Sequence, residues 1–366
     1  MKLKDLLACT ITGLLLCTSC IKDEAPNAEA DILTCTVPEE ILKREPIIQN
    51  NSVVLMVKST TDVKHQAPRF TLTEGATITP ESGTEHDFTQ PQKYVVTSES
   101  GKWKKTYTVT YSIDDISTYY TFEDTLITAE SKGNYFVFID KNSNGNQMQW
   151  ASGNPGFRMT GVASSAYDYP TVQDNDGYIG KCAKLITRET GTFGNTAGMP
   201  IAAGNLFTGT FNVLSALSDA LKSTQFGYPF YYKPTKLSGY YKFTPGETFM
   251  SKGKPVLDKK DIFNIYAMFY ETDDKTKTLD GYFKANGYTD PNLVALAIMD
   301  NPVETSKWTY FEIPFKYSYG KEIDAEKLKD GKYNFAVVFS SSIDGDIFEG
   351  APGSTLWVDE VELFYE

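Results

Sequence analysis

Short runs of alternating apolar and polar residues fill the chain from Ile32 onwards, and they predict β-strands rather than helices. Turn sequences such as Pro80-Glu81-Ser82-Gly83 separate the first group of runs. Residues 32–113 have the length and turn spacing of an immunoglobulin-like β-sandwich, which spans roughly 100 residues. We interpret this region as a spacer domain, and its predicted strands are residues 47–48, 53–57, 70–72, 94–96 and 107–111.

Residues 119–366 show no further linker, so we predict one larger second domain. The runs 262–270 and 293–299 are apolar on both faces, which is typical of central strands covered on two sides. Helical spacing is confined to residues 212–222 and a turn at residues 324–329. The pattern therefore predicts an all-β chain with two sandwiches, and the other strands of the larger one are residues 135–139, 181–187, 238–243, 308–315 and two C-terminal runs.

The last run of the chain places one carboxylate among apolar side chains. Alternation puts five residues on one face and Glu360 and Glu362 on the other; the five are Trp357, Asp359, Val361, Leu363 and Tyr365. We therefore expect Asp359 to point inward, where it needs a metal or several hydrogen-bond donors. Because the first and last strands of a jelly roll lie side by side, Glu123 is its predicted partner. A structural Ca²⁺ and hydrogen-bonded burial both remain open.

Composition narrows the classes of function. The formal net charge of −12 argues against nucleic acid as a partner, because nucleic acid requires a basic face. No histidine follows residue 118, which excludes Ser-His-Asp catalysis and His-ligated zinc from the second domain. The remaining carboxylates, amides, hydroxyls and aromatic rings are the groups that a carbohydrate site uses.

Residues 1–19 have a basic start and an apolar stretch too short to span a membrane, as in a signal peptide. Thr18-Ser19-Cys20 resembles a bacterial lipobox, although Cys17 replaces the usual leucine. An ordinary cleaved signal peptide is the alternative. Lys22-Asp23-Glu24 resembles the export tag of surface lipoproteins in polysaccharide-degrading Gram-negative bacteria. We expect lipid on Cys20, a tether over residues 20–31 and an outer-membrane location facing outward.

The other cysteines suggest no disulfide framework. Cys9 and Cys17 fall in the targeting segment, while Cys35 and Cys182 lie far apart and are predicted to be buried thiols.

Three segments of the second domain could form a ligand site. A Gly-rich loop carries Trp150, Asn154 and Arg158, and Trp150 has no apolar partner at period two within that loop. We therefore predict that its ring contacts a ligand. A second loop offers Asn205 and Phe207, and the Tyr-rich segment 228–241 offers Tyr232 and Tyr240.

Residues 140–151 carry the oxygen spacing of an EF-type calcium loop in Asp140, Asn142 and Asn144. The twelfth position is Ala151, where a calcium loop has a bidentate Glu. We therefore favour a polar turn. Apart from the Ca²⁺ considered for Asp359, no cofactor is expected.

Several ordered motifs of the second domain resemble the family called the putative carbohydrate metabolism domain. They are WASGNPGF, AGNLFTG, KPTKLSGYYKFTPG, WTYFEIPF and SSSIDGDIFEGAPGSTLWVDEVELFYE. The resemblance implies a β-jelly-roll sandwich and a setting among surface lipoproteins of sugar-degrading bacteria, often with a glycoside hydrolase label. The N-terminal stretch resembles the Ig-like modules that precede sugar-binding domains in such lipoproteins. The family supplies no catalytic residues to carry over.

Three functions stay open at this point. The first is capture of an oligosaccharide or polysaccharide at the cell surface, together with other proteins of glycan uptake. The second is a glycoside hydrolase with two carboxylates flanking the scissile bond. The third is a structural or adhesion protein. The candidate acids for hydrolysis are Glu271, Asp300, Glu312, Asp344 and Asp346.

Overall fold

The structure is a computed structural model that describes residues 26–42, 45–49, 51–58, 61–112, 116–129, 133–141, 147–317 and 321–366. The predicted lipid site Cys20, the tag Lys22-Asp23-Glu24 and residues 142–146 of the EF-like loop lie outside the described residues. No described helix is long and apolar enough to cross a membrane.

The N-terminal part is a small sandwich of two sheets. Its strands are β1 (Ile32–Thr36), β2 (Ile47–Gln49), β3 (Ser52–Met56), β4 (Arg69–Leu72), β5 (Thr77–Thr79), β6 (Gln92–Thr97) and β7 (Lys104–Ser112). Strand β1 pairs with β4, and the larger sheet has the order β2-β3-β7-β6-β5, with β3 and β7 parallel. Alternate residues such as Tyr94, Tyr107 and Val109 face inward and form its core.

The C-terminal part is a larger sandwich of two antiparallel sheets. The six-stranded sheet has the order β12-β13-β28-β20-β26, with β8 paired to β28. The five-stranded sheet has the order β16-β27-β23-β25, with β19 paired to β27. These strands are β8 (Tyr119–Tyr120), β12 (Thr171–Asp174), β13 (Cys182–Ile186), β16 (Asn205–Phe207), β19 (Tyr228–Pro229), β20 (Pro234–Thr244), β23 (Asn264–Glu271), β25 (Leu293–Ile298), β26 (Thr305–Pro314), β27 (Tyr333–Ser340) and β28 (Thr355–Tyr365).

Smaller elements cover the edges of this sandwich. The other strands are β9 (Asp124–Ile127), β10 (Phe136–Lys141), β11 (Gln147–Gln149), β14 (Arg188–Glu189), β15 (Ile201–Ala202), β17 (Gly209–Phe211), β18 (Thr224–Phe226), β21 (Phe249–Ser251), β22 (Lys254–Val256) and β24 (Leu279–Asp280). The α-helices are short: α1 (Asn154–Arg158), α2 (Gly191–Thr196), α3 (Val213–Ser218), α4 (Tyr282–Ala285) and α5 (Ala325–Lys329). The helical spacing predicted for residues 212–222 corresponds to α3 and a 3-10 turn, Ala220–Ser223.

Strand β23 shows how the large core is arranged. Ile265, Ala267 and Phe269 face the core between the two sheets. Tyr266 and Met268 face the other way, into a second apolar layer under the small sheet β17-β18-β24. The strand is thus covered on both sides, as its sequence predicts, and the all-β fold with two sandwiches is confirmed. Cys35 and Cys182 are buried free thiols, also as predicted.

The last strand departs from simple alternation. Leu356 and Val358 face the core, and so do Val361 and Leu363, so one extra residue lies between the two pairs. The pairing register with β20 shifts at this point, and Glu360 has a φ of 49°. This is a β-bulge.

The prediction that Asp359 points into the core is wrong, because the bulge changes which residues of the strand face inward. Trp357 and Asp359 alternate with Leu356 and Val358, so they face outward rather than into the core. Asp359 is nevertheless fully buried. It is covered by the loop at residues 175–181, whose Ile179 N–H donates to its Oδ2 at 3.0 Å.

The two sandwiches contact each other directly. Gln49 Nε2 donates to the Trp150 carbonyl at 2.8 Å, and Gln149 Nε2 donates to Asn51 Oδ1 at 3.2 Å. Ile47 and Met56 of the N-terminal part belong to the same apolar cluster as Trp150. The region that we interpreted as a spacer therefore also supports one end of the larger sandwich.

The segment before β1 lies against the N-terminal sandwich. The Asn27 N–H donates to Glu99 Oε2 at 2.7 Å, and Asp31 forms an ion pair with Lys105 at 2.8 Å. Ala30 between them is buried. Residues 27–31, predicted as part of a tether, are therefore held to the folded part of the chain.

Candidate functional site

A cleft of about 190 Å³ lies on the outer face of the five-stranded sheet. This volume is far larger than a void that holds one water molecule. Asn264 and Tyr266 of β23, Val338 and Ser340 of β27, and Phe207 of β16 line its floor. They are exposed to the cleft because they alternate with the residues that face the sandwich core.

The walls of the cleft are mainly aromatic and aliphatic. They are formed by α1, α2, α3, the 3-10 turn after α3 and the small sheet, and their lining residues include Phe157, Phe193, Phe211, Leu221 and Phe226. Helix α1 comes so close to the facing wall that a Cβ on Gly156 would lie 3.3 Å from Phe211 Cζ. Phe193 is 49% exposed, so its ring is available to a ligand.

One end of the cleft carries an ion pair. Lys284 Nζ lies 2.5 Å from Asp346 Oδ1 and 3.8 Å from Asp344 Oδ1, and Lys259 pairs with Asp344 at 3.1 Å. Asp346 Oδ2 is buried and has no hydrogen-bond partner among the described residues. A buried acceptor without a donor is costly, so this oxygen would gain from a hydroxyl donor if the Asp346 side chain turned towards the cleft.

Two tyrosines beside this ion pair stay neutral. Asn264 Nδ2 donates to Tyr288 Oη at 2.8 Å. Burial, together with the charges of Asp346 and Asp344, raises the pKa of Tyr288 to about 12. Burial also raises the pKa of Tyr266 well above its usual range. Both phenols therefore keep their protons near neutral pH and add no charge to the cleft.

A buried hydrogen-bond network holds the loop that carries Asp346. Asp261 Oδ2 accepts from Ser342 Oγ at 2.6 Å, from Ser354 Oγ at 2.7 Å and from Ala351 N at 2.7 Å. Burial raises the pKa of Asp261 even though these donors favour its charged form. The network fixes both ends of residues 342–354 and so positions the polar end of the cleft.

Two of the predicted ligand residues reach the cleft. Asn205 lines it and accepts the Gly153 N–H through Oδ1 at 2.7 Å, which also joins β16 to the start of α1. Phe207 forms part of the floor, although its ring is almost fully buried.

Trp150 and Asn154 do not contact the solvent, so their predicted role as ligand contacts is wrong. Trp150 is 1% exposed, its ring packs against Tyr120 and Phe122, and its Nε1 donates to Asp140. Asn154 is fully buried and exchanges hydrogen bonds with the Thr171 backbone. The partners of Trp150 come from distant strands, which periodicity within its own loop cannot reveal.

The other three predicted residues lie at separate places. The Arg158 stem borders Gly133, and its charge acts on Asp31 of the N-terminal part. Tyr232 packs against Phe230 and Tyr365. Tyr240 lies on the outer face of the six-stranded sheet, on the opposite side of the sandwich from the cleft. The seven residues therefore do not form one site.

The predicted calcium pair holds a backbone loop. Glu123 Oε1 accepts the Lys181 N–H at 2.7 Å, and Asp359 accepts from Ile179 and Glu360 at 3.0 and 2.9 Å. Burial raises the pKa of Asp359 to about 7. Within the described ranges, no three His, Cys, Asp or Glu side chains gather as a metal site. Structural Ca²⁺ at this pair and hydrogen-bonded burial both remain open.

The candidate acids for hydrolysis are scattered. Glu271 pairs with Lys327, Asp300 with Lys316 and Glu312 with Lys236, at 2.6, 3.1 and 2.8 Å. Of the described residues that line the cleft, only Asp346 carries a carboxylate. Asp344 is two residues away and contacts the same lysine.

Sequence reasoning missed most of the cleft. Asn264, a polar residue in a run apolar on both faces, is a signal that could have been used. Phe193 and Lys284 lie in short helices and Phe211 ends a three-residue strand, and elements of this length show no periodic pattern. Only the chain path brings these residues together.

The fold and the cleft define a two-sandwich protein of the carbohydrate-handling class. Residues 121–364 match the family described as "Putative carbohydrate metabolism domain", and the chain belongs to this family, as its motifs predict. Residues 32–111 match the domain described as "SGBP, N-terminal", the N-terminal domain of surface glycan-binding proteins, which indicates a cell-surface location.

Two crystal structures are similar to this chain over their whole length. One is described as a putative glycoside hydrolase from Bacteroides thetaiotaomicron VPI-5482; it is 52% identical with a TM-score of 0.86, covering 94% of this chain and 99% of that one. The other is a putative glycoside hydrolase from Bacteroides vulgatus ATCC 8482; it is 47% identical with a TM-score of 0.67, covering 69% of this chain and 99% of that one. No curated protein matches the chain.

Proposed function

We propose that this protein is a surface lipoprotein that binds an oligosaccharide or polysaccharide in the cleft without cleaving it. The observation that carries the proposal is the composition of the cleft. Its aromatic and aliphatic walls end in amide groups and one ion pair, and Asp346 provides the only carboxylate among its described lining residues. Membership of a carbohydrate-metabolism family supports a sugar as the ligand.

The chemistry of each part suits a sugar. The exposed ring of Phe193 can stack on the C–H face of a pyranose, and such a contact contributes about 1 kcal/mol beyond area burial. Asn205 can donate from Nδ2, because its Oδ1 is already engaged by Gly153. Asp346 Oδ2, which is buried and unpaired, could accept from a sugar hydroxyl once its side chain turns towards the cleft. We expect affinities between about micromolar and millimolar, or roughly −8 to −4 kcal/mol.

Hydrolysis is the second candidate, because both similar crystal structures are described as putative glycoside hydrolases. Glycosidases place two carboxyl groups on either side of the scissile bond. Asp344 and Asp346 instead contact one lysine from the same short turn. This arrangement favours binding over cleavage.

The test of binding uses a glycan array followed by calorimetry on the full chain. Phe193→Ala should weaken binding about tenfold, or about 1.4 kcal/mol. Tyr167→Ala is the matched control, because Tyr167 is an exposed ring that does not line the cleft. Equal affinity of Phe193→Ala and the wild type would show that the cleft is not the site. Reducing ends that accumulate on long incubation, and that Asp346→Asn abolishes, would favour the hydrolase.

The proposed location has its own test. Lipid on Cys20 and export by Lys22-Asp23-Glu24 would place the protein on the outside of the outer membrane, beside partners in glycan uptake. Protease added to intact cells should remove the protein, and Cys20→Ala should release it from the membrane fraction. A protein that resists protease in intact cells but not in lysed cells would contradict the surface location.

A further inference from the structure

The outer face of the six-stranded sheet carries aromatic and charged side chains in rows that cross the strands. One row pairs Trp357 with Lys184 on one side and Lys242 on the other. The next row pairs Tyr240 with Asp359 and Tyr310. We call Tyr178, Tyr240, Trp308, Tyr310 and Trp357 the aromatic face.

The lysines of this face hold its rings in place and are neutralised. Lys242 Nζ lies 4.6 Å from the centroid of Trp308 and 5.2 Å from that of Trp357, and it pairs with Asp176 at 2.8 Å. Lys184 pairs with Asp174 at 2.9 Å. Cation–π contacts and ion pairs of this kind fix the rings before any ligand arrives.

Two tyrosines remain open to solvent above this layer. Tyr178 is 44% exposed, and its ring stacks on Tyr240 with centroids 3.7 Å apart and planes 10° apart. Tyr310 is 51% exposed and meets the edge of Tyr240 at 5.5 Å. The loop that carries Tyr178 is held by the carboxylates of Asp359 and Glu123. Both exposed rings are therefore presented by fixed neighbours.

We propose that the aromatic face is a second carbohydrate-binding surface, specific for a neutral oligosaccharide of at least two rings. Two ordered, exposed rings suit stacking on two sugar units, and ordered groups lose little conformational entropy on binding. The exposed carboxylates at the rim are each paired with a lysine, Asp176 with Lys242 and Glu312 with Lys236, so these pairs offer no excess positive charge to a polyanionic glycan. Their oxygens can accept hydrogen bonds from sugar hydroxyls. The aromatic face lies on the opposite side of the sandwich from the cleft, so it would bind a glycan independently of the cleft.

The experiment measures binding of the full chain to cellohexaose, xylohexaose, laminarihexaose and mannohexaose, with polygalacturonate as the anionic probe. The double variant Tyr178→Ala/Tyr310→Ala should weaken binding of at least one neutral hexasaccharide about tenfold. Tyr178→Phe/Tyr310→Phe should retain binding, because the rings remain. Trp103→Ala is the matched control, since it removes an exposed ring from the N-terminal sandwich. Circular dichroism and melting temperature show that each variant is folded.

The cleft variant Phe193→Ala separates the two proposals. Neutral hexasaccharide binding that survives Phe193→Ala and falls in the double tyrosine variant supports the aromatic face. Binding that falls only with Phe193→Ala overturns this inference and leaves the cleft intact. The inference is also overturned if no neutral hexasaccharide binds, or if polygalacturonate alone binds.

Discussion

The two outer faces of the larger sandwich are built in opposite ways. On the five-stranded sheet, the segments at residues 153–160 and 190–226 rise over the strands and enclose a cleft with buried polar groups. On the six-stranded sheet, the loop at residues 175–181 folds over the strands, and the rings of Tyr178 and Tyr310 stay exposed. One antiparallel framework thus supports an enclosed site and an open surface, and the connecting segments decide which forms.

The difference has consequences for ligands. An enclosed cleft surrounds one unit of a ligand and holds polar groups such as Asp346 in a largely buried setting, where hydrogen bonds are stronger than in water. An open row of rings instead accepts several units along a chain and selects weakly among them. We therefore expect the cleft to decide which sugar binds and the aromatic face to add affinity for longer chains.

The largest expected effect comes from a residue that supports the whole sandwich. Trp150→Ala should lower the free energy of unfolding by about 3–5 kcal/mol, because it empties a core site and removes one of the hydrogen-bond donors to the buried Asp140. Urea denaturation measures the change, with Trp103→Ala as the exposed control. Both faces should lose binding together once the variant unfolds. A stable Trp150→Ala protein would contradict the buried position.

The second prediction concerns the pH dependence of stability. Burial raises the pKa of Asp140 to about 7 from 3.8, so the native state holds this proton more tightly than the unfolded chain. Protonated Asp140 makes its full contribution to the free energy of unfolding below pH 3.8. That contribution falls as the pH rises to about 7, by at most about 4 kcal/mol.

Asp140→Asn should remove this dependence. The melting temperature should therefore fall less between pH 5 and pH 8 in Asp140→Asn than in the wild type. An equal fall in melting temperature in the two proteins would show that the pKa of Asp140 is not raised.

The third prediction concerns a substitution that should weaken binding at the aromatic face and not at the cleft. A Cβ on Gly239 would lie 2.8 Å from Val361 Cγ2, opposite the bulge in the last strand. Gly239→Ala should destabilise the protein by about 1–3 kcal/mol through overpacking. It should weaken binding at the aromatic face, because Tyr240 is adjacent, and leave the cleft unchanged in the folded protein. Equal loss at both surfaces would mean that the two faces are coupled.

The smallest expected effect is that of a chelator. Glu123 and Asp359 already accept backbone N–H groups, so EDTA should not shift the melting temperature, whereas a bound Ca²⁺ would stabilise the native state. Asp359→Ala should lower that temperature in either case, because it leaves the Ile179 N–H unpaired. A drop with EDTA that Ca²⁺ reverses would establish calcium at this pair.

The sequence pattern predicts the burial of a residue correctly where that burial depends only on the residue's own strand. The apolar run around Ile265 predicts a central strand because both of its faces are buried. Asp359 was misplaced because a bulge depends on the partner strand, where Gly239 leaves room. Trp150 was misplaced because its partners are distant in sequence. Asn205 lines the cleft at the start of a short strand, and its contact with a ligand stays a prediction.

The docking of residues 27–31 limits how far the protein can reach from a membrane. If Cys20 carries lipid, only residues 21–26 separate it from the folded part, and six residues span at most about 20 Å. The folded part would then stay close to the bilayer whatever path those residues take.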